Sequence, residues 1–430
     1  MRLAVQQTAL APAAKTEEEG GQRLRLDLRS YGNEDRLVRN LFESPTFQSW
    51  TKGDHTLHVF VDSLDECLLR LDNLAALLVD ELRKYPVERL CLRIACRTAD
   101  WPNTLEEGLR QLWGSDSLAV YELAPLCRTD VIEAAQTAGL DPDLFLTEID
   151  RKEIVALAIK PVTLNFLINV YGRTSEFPST QAELYHQGCR LLCEETNESR
   201  RDARRIAILS ANQRMAVAAR VAAITVFGAR YAIWTGVDRG DVPDVDVTIS
   251  QLCGGTESTD GVQFEVTEIA VREALGTGLF SSRGPNRLGW AHQTYAAFLA
   301  AWYLVQHEMT SAQVMSLIVS PGDPDEKLVP QLHEASAWLA GMIPAVFREI
   351  MRTDPQVLLR SDVATADLED RAGLVEVLLR RFDEEELLDS EWDIRRRYRK
   401  LAHLSLAEQL QPCICDQAKG VIVRRVAETL

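Results

Sequence analysis

Three carboxylates, Asp62, Asp65 and Glu66, fall within five residues directly after the run Thr56-Leu57-His58-Val59-Phe60-Val61. Carboxylate oxygens suit a hard cation such as Mg²⁺, which keeps several of its waters and takes one or two carboxylates besides. The preceding run alternates and is rich in β-formers. It follows the turn signal Lys52-Gly53-Asp54, so it predicts a short buried strand. A parallel strand delivers its carboxyl end to the ligand crevice of an open α/β sheet. Ser63 is small enough for a tight turn between the acids. Read without chemistry, the same residues are a strand followed by an acidic helix start.

A second apolar strand, Leu90 to Ala95, ends in Cys96-Arg97-Thr98. In a parallel sheet its tip shares an edge with Asp62. Arg97 is then placed to meet a phosphate, because a guanidinium is always charged and forks onto phosphate oxygens. The plainer role for Arg97 is an ion pair that packs the sheet. Further on, Lys160-Pro161-Val162 opens a helix with proline in its first turn, where the missing N–H costs nothing. His292 follows a short strand and opens an apolar helix. A lone histidine there is often a packed core residue.

The elements that must position these groups follow from periodicity and breakers. Residues 1 to 22 predict a helix ending at Gly20-Gly21, and Arg23 to Ser30 alternates as a strand. A helix capped by Asn33 or Asp35 runs to about Trp50, and another covers Leu68 to Lys84. Leu105 to Trp113 is helical, and Leu118 to Leu123 is a strand. Strands alternating with such helices predict a parallel sheet. Helices follow over Leu126 to Ala138, Ile149 to Ala158, from Lys160-Pro161, over Leu184 to Glu195, and over Arg204 to Ala229. Val237 to Gly261 is Gly-, Asp- and Thr-rich and predicts a loop. A helix over Thr267 to Gly276, two short strands around Gly284-Pro285-Asn286, and the helix Thr294 to Val305 give the order of a winged-helix domain. After Pro321 the chain reads as antiparallel helices, around Pro330 to Leu339, Ala345 to Met351, Asp370 to Asp383, Glu391 to Leu401 and Gln417 to Leu430. The fold class is thus α/β followed by mostly α: a partial parallel-sheet P-loop NTPase domain, a helical domain, a winged-helix domain and a HEAT-like array.

Composition bounds the function. The 430 residues allow several domains, and 46% hydrophobic with 26% charged content is ordinary for a globular chain. A formal charge of −17 argues against a large nucleic-acid footprint, despite the basic clusters at Arg200 to Arg205 and Arg395 to Lys400. Nine scattered cysteines read as reduced thiols and point to a cytoplasmic protein. No apolar run reaches the roughly 18 residues of a membrane span, and no signal-peptide core is present.

Four stretches together resemble NACHT-type signal-transduction NTPases. HVFVDSLDE resembles that family's Walker B motif, and LRIACRTADWP its strand ending in a sensor arginine. Pro161 matches the family proline, although Ile159 and Lys160 replace the usual Gly-x. GWAHQTYAAFLAAWYL is similar to the family's winged-helix segment at His292, Tyr295, Phe298, Ala300 and Ala301, with Trp290 for the first aromatic and Ala297 where glutamate is common. The resemblance implies ATP/ADP and Mg²⁺ as cofactors. Asp62 would hold Mg²⁺ through water, and Asp65 and Glu66 would orient or activate the attacking water. Arg97 would sense the γ-phosphate, Pro161 would lie by the adenine, and His292 would reach the ADP β-phosphate. It implies domains at 1–123, 124–200, 201–310 and 311–430. Their expected role is a nucleotide-dependent oligomerisation switch in prokaryotic signalling or defence. Self-association is expected, with the trigger a protein bound by the C-terminal helices.

One part of the family pattern is missing. No G-x-x-x-x-G-K-[ST] occurs, so the cradle of backbone N–H groups and its lysine are absent. The expectation is a chain that lacks the family's first strand and is itself hydrolysis-deficient. Two other classes stay open: a non-catalytic helical scaffold, and a winged-helix DNA-binding regulator, which the net charge opposes.

Overall fold

The computed structural model describes residues 2–4, 22–28, 34–64, 67, 73–96, 101–178, 180–194, 209–238, 240, 242–284, 286–387 and 397–430. An α/β part with a small, mainly parallel sheet comes first, and a mostly helical part follows.

The sheet is built from β1 (Arg2–Ala4), β2 (Gln22–Asp27), β3 (Leu57–Asp62), β4 (Leu90–Cys96) and β5 (Val120–Glu122), in the order β2-β3-β4-β1-β5. β2, β3 and β4 are parallel, with Leu57 opposite both Gln22 and Leu90 and Asp27 opposite Asp62. β1 runs antiparallel to β4 and β5, with Leu3 opposite Ala95 and Tyr121. The expected helix over residues 1 to 22 is corrected at its start, because Arg2–Ala4 is a strand; residues 5–21 lie outside the described residues. The reason is tertiary: β1 supplies backbone partners to the edges of two strands remote in sequence, β4 and β5.

Strand alternation sorts the side chains. Leu57, Val59 and Val61 of β3 and Leu90 and Ile94 of β4 are buried. They join one core with helices α1 (Glu34–Leu41), α2 (Pro45–Lys52), α3 (Leu74–Leu82) and α4 (Asn103–Trp113). The other face carries Arg25, His58, Phe60, Asp62 and Arg93 and adds nothing to that core. There the Arg93 and Arg25 guanidinium carbons stand 5.1 and 5.6 Å from the Phe60 ring centre. The single helix expected to run to Trp50 is two helices, because Ser44 caps and Pro45 starts a new one. Of the helix expected over Leu68 to Lys84, the described part is Leu74–Leu82.

The helical part opens with α5 (Arg128–Thr137), α6 (Pro142–Arg151), the single turn α7 (Val155–Ala158), α8 (Pro161–Thr174) and α9 (Gln181–Leu192). α6 corrects the helix expected over Ile149 to Ala158. Asp141 caps it with Pro142 at its first position, and Glu153 at φ 52° ends the segment before α7. The long helix expected from Arg204 is α10 (Ala211–Phe227), begun by a capping box between Ser210 and Gln213; 201–208 lie outside the described residues.

The loop expected over Val237 to Gly261 is also corrected. It contains β7 (Asp246–Thr248), parallel to β6 (Ala232–Trp234), then α11 (Ile249–Leu252) and β8 (Thr256–Thr259). β8 pairs with β9 (Val262–Glu265) around Asp260-Gly261, at φ 53° and 74°, the two left-handed residues of a tight hairpin. α12 (Glu268–Leu275), the hairpin β10 (Phe280–Ser282) and β11 (Arg287–Trp290), and α13 (Gln293–Gln306) complete this region. α13 is apolar nearly all round and buried accordingly.

The remaining helices are α14 (Ser311–Ile318), α15 (His333–Met342), α16 (Pro344–Thr353), α17 (Pro355–Leu358), α18 (Leu368–Asp383), α19 (Leu406–Cys415) and α20 (Val421–Thr429). The helix expected over Glu391 to Leu401 is described only as the 3₁₀ turn Tyr398–Leu401. One continuous core runs from Val131 to Ala427, and among the described residues it is separate from the core of the sheet. No helix is long and apolar enough to cross a membrane among the described residues.

Candidate functional site

Asp62 is the last residue of β3 and is exposed at the carboxyl edge of the sheet. Its Oδ1 accepts a hydrogen bond of 2.8 Å from Ser63 N–H, and Ser63 turns the chain at φ 58°. The tight turn expected from a small residue is therefore present. Beside Asp62, in direct register on β2, stands Asp27. Two carboxylates in register on one face present oxygen donors of the kind a divalent cation takes. Sequence reading missed Asp27, although the strand ending Leu26-Asp27-Leu28 offered the signal. Oxygen donors at a solvent-facing sheet edge fit hydrated Mg²⁺. The sequence holds no G-x-x-x-x-G-K-[ST] loop, the element that cradles a triphosphate where one is bound. Asp65, Glu66 and Arg97 lie outside the described residues; β4, whose end precedes Arg97, does run parallel beside β3.

The same edge meets the helical part. α4 begins there at Asn103, whose side-chain amide bonds that of Asn286 in the β10–β11 turn. Ser282 N–H donates to Glu122 Oε1 at 3.3 Å. Between these contacts lies a cleft of about 380 Å³, lined by Asn103, Glu106, Arg110, Val120, Glu122 and Asn286 among others. Lys160 is mostly desolvated, which lowers its pKa, while Glu122 acts in the opposite direction. Sequence reading did not mark Asn103 or Glu122, and it read Lys160 and Asn286 only as a helix start and a turn; what brings the four together is the meeting of distant segments.

Pro161 stands at the first position of α8, exposed, after an extended Lys160. His292 is the N-cap of α13, where its Nδ1 accepts from Thr294 N–H at 3.2 Å. Burial lowers its pKa, with Glu334 acting in the opposite direction. The ring is therefore neutral near pH 7, and with Nδ1 accepting, the proton sits on Nε2. The ring centre lies 5.9 Å from that of Tyr295, whose hydroxyl bonds the Ala156 carbonyl and the Thr163 side chain. Thus the starts of α8 and α13, with Pro161 and His292, belong to one neighbourhood. No hydrogen bond or ion pair among the described residues joins either to Asp62.

No family model and no curated protein matches the chain.

Proposed function

We propose that this chain works as the switch of a NACHT-type signal-transduction NTPase, a nucleotide-dependent oligomerisation device of prokaryotic signalling or defence. The observation that carries this reading is Asp62, exposed at the carboxyl end of the middle strand of β2-β3-β4 with Asp27 beside it. Mg²⁺ would be held there, with ATP or ADP as the nucleotide. The order α10, α11, α12, hairpin β10–β11, α13 supports the winged-helix reading of 201–310, and the helices after Thr310 support a HEAT-like sensor for a protein trigger. Asp65, Glu66, Arg97, Pro161 and His292 keep the roles the family resemblance implies.

Without phosphate-cradling amides and their lysine, positioning and charge neutralisation are both lost, and these carry most of phosphoryl transfer. This chain alone is therefore expected to release no phosphate from Mg·ATP above a buffer control. Turnover that survives purification and disappears in Asp62→Ala would overturn this expectation. The lack of G-x-x-x-x-G-K-[ST] also favours a second reading, a non-catalytic helical scaffold that keeps the nucleotide-domain shape without turnover.

A further inference from the structure

Among the described residues, the join between the two cores differs from the joins within the helical part. Among the described residues it is polar: the Asn103–Asn286 amide pair and the Ser282 bond to Glu122 flank a cleft of about 380 Å³, and the charge of Glu122 acts on Lys160. One strand of chain crosses it, Leu123-Ala124-Pro125, and all three residues are exposed. Such contacts exchange with water at little net cost.

The joins downstream are different in kind. Tyr185 of α9 packs its ring 5.8 Å from Phe298 of α13 and 4.9 Å from Trp338 of α15. Tyr295 of α13 bonds the Ala156 carbonyl of α7. Arg214 of α10 donates to the Cys193 carbonyl at 3.1 Å, and Gly278 N–H to the Leu192 carbonyl at 3.1 Å. Asp362 accepts from Gln181 N–H at the start of α9 at 2.6 Å. Glu153 pairs with both Arg397 and Lys400 at 3.0 Å. Separating these units would expose the buried rings of Tyr185, Phe298 and Trp338 and take the Cys193 acceptor from buried Arg214.

We propose that the α/β unit, up to Glu122, turns as one body about Leu123–Pro125, while everything from α5 to α20 moves as a second rigid body. A few element-terminal residues suffice to absorb such a rotation. The inference goes beyond the nucleotide reading and does not rest on it.

The test is electron–electron distance measurement on the full chain, with spin labels carried by unnatural amino acids so that native thiols stay intact. One pair, at Glu88 and Glu376, crosses the join; the other, at Glu133 and Glu268, lies within the second body. Asn286→Asp adds a carboxylate to a cleft already lined by Glu106, Glu107 and Glu122, with Arg110 paired to Glu106 at 2.9 Å. Aspartate tolerates the left-handed backbone of position 286, at φ 55°, so the turn is retained. The expected result is a longer, broader Glu88–Glu376 distribution, reversed in part by high salt, with Glu133–Glu268 unchanged. A Glu88–Glu376 distribution that stays narrow and unshifted overturns the proposal. So does a Glu133–Glu268 distance that changes with it. Should Asn286→Asp fail to fold, the pair Asn103→Cys and Asn286→Cys gives the same decision. Its oxidised form should be narrow across the join and widen on reduction; no change on reduction overturns the proposal.

Discussion

Arg287→Met is expected to lower stability by about 3–5 kcal/mol, the cost of leaving a buried charge without its partner. Asp246 has a side chain with no exposure, and Arg287 meets it with two bonds, Nε to Oδ2 at 2.6 Å and the terminal nitrogen to Oδ1 at 2.7 Å. The guanidinium also lies 5.5 Å from the Tyr231 ring centre, so it ties β11 to β7 and to the segment before β6. Methionine keeps the aliphatic stem and removes the charge, leaving the carboxylate desolvated. Denaturant unfolding should show the loss as a lower midpoint. The double variant Arg287→Met, Asp246→Leu should recover most of it, because no charge then stays buried. A single-variant cost below about 1 kcal/mol, in the range of an exposed pair, would mean that water reaches Asp246 and the pair is dispensable.

The second large effect separates two roles of His292. As N-cap, its Nδ1 holds Thr294 N–H; as the family resemblance implies, its Nε2–H would hold a β-phosphate. Asparagine is among the best N-caps but lacks a donor at the Nε2 position, and alanine supplies neither group. In a parent chain that includes a phosphate loop, both His292→Asn and His292→Ala should speed ADP release and raise untriggered assembly by roughly tenfold or more. That is the equilibrium value of losing a hydrogen bond to a charged group, about 1.5–3 kcal/mol. Only His292→Ala should also lower the melting temperature, through the lost cap. If His292→Asn retains ADP as the wild type does, the histidine is a cap and nothing more.

Much of this was open to sequence reasoning, and the failures have physical causes. β3 is legible because a half-buried strand alternates, as it does over six residues, and β4 because its buried Leu90, Ile94 and Cys96 keep even spacing on one face. Pro161 and His292 are legible as helix starts because capping is local chemistry. β1 is not legible: three residues are too few to show a period, and its partners, Ile94 to Cys96 and Val120 to Glu122, are remote. The β8–β9 hairpin was legible in the Asp260-Gly261 dipeptide, and α11 in the Thr248-x-x-Gln251 capping box; the surrounding Gly and Asp masked both. The join at Asn103 and Asn286 joins residues 183 apart, and nothing in either local sequence marks it.

The central claim is that the carboxyl edge at Asp62 belongs to a nucleotide site that needs Mg²⁺. Its most direct test is the nucleotide content of the protein expressed from its own gene with any in-frame coding sequence upstream of Met1, wild type against Asp62→Asn. The expected result is about one ADP per chain in the wild type, retained only with Mg²⁺, and loss of that Mg²⁺ dependence in Asp62→Asn. A wild-type protein that carries and binds no nucleotide, or Mg²⁺-dependent ADP retention untouched by Asp62→Asn, would contradict it.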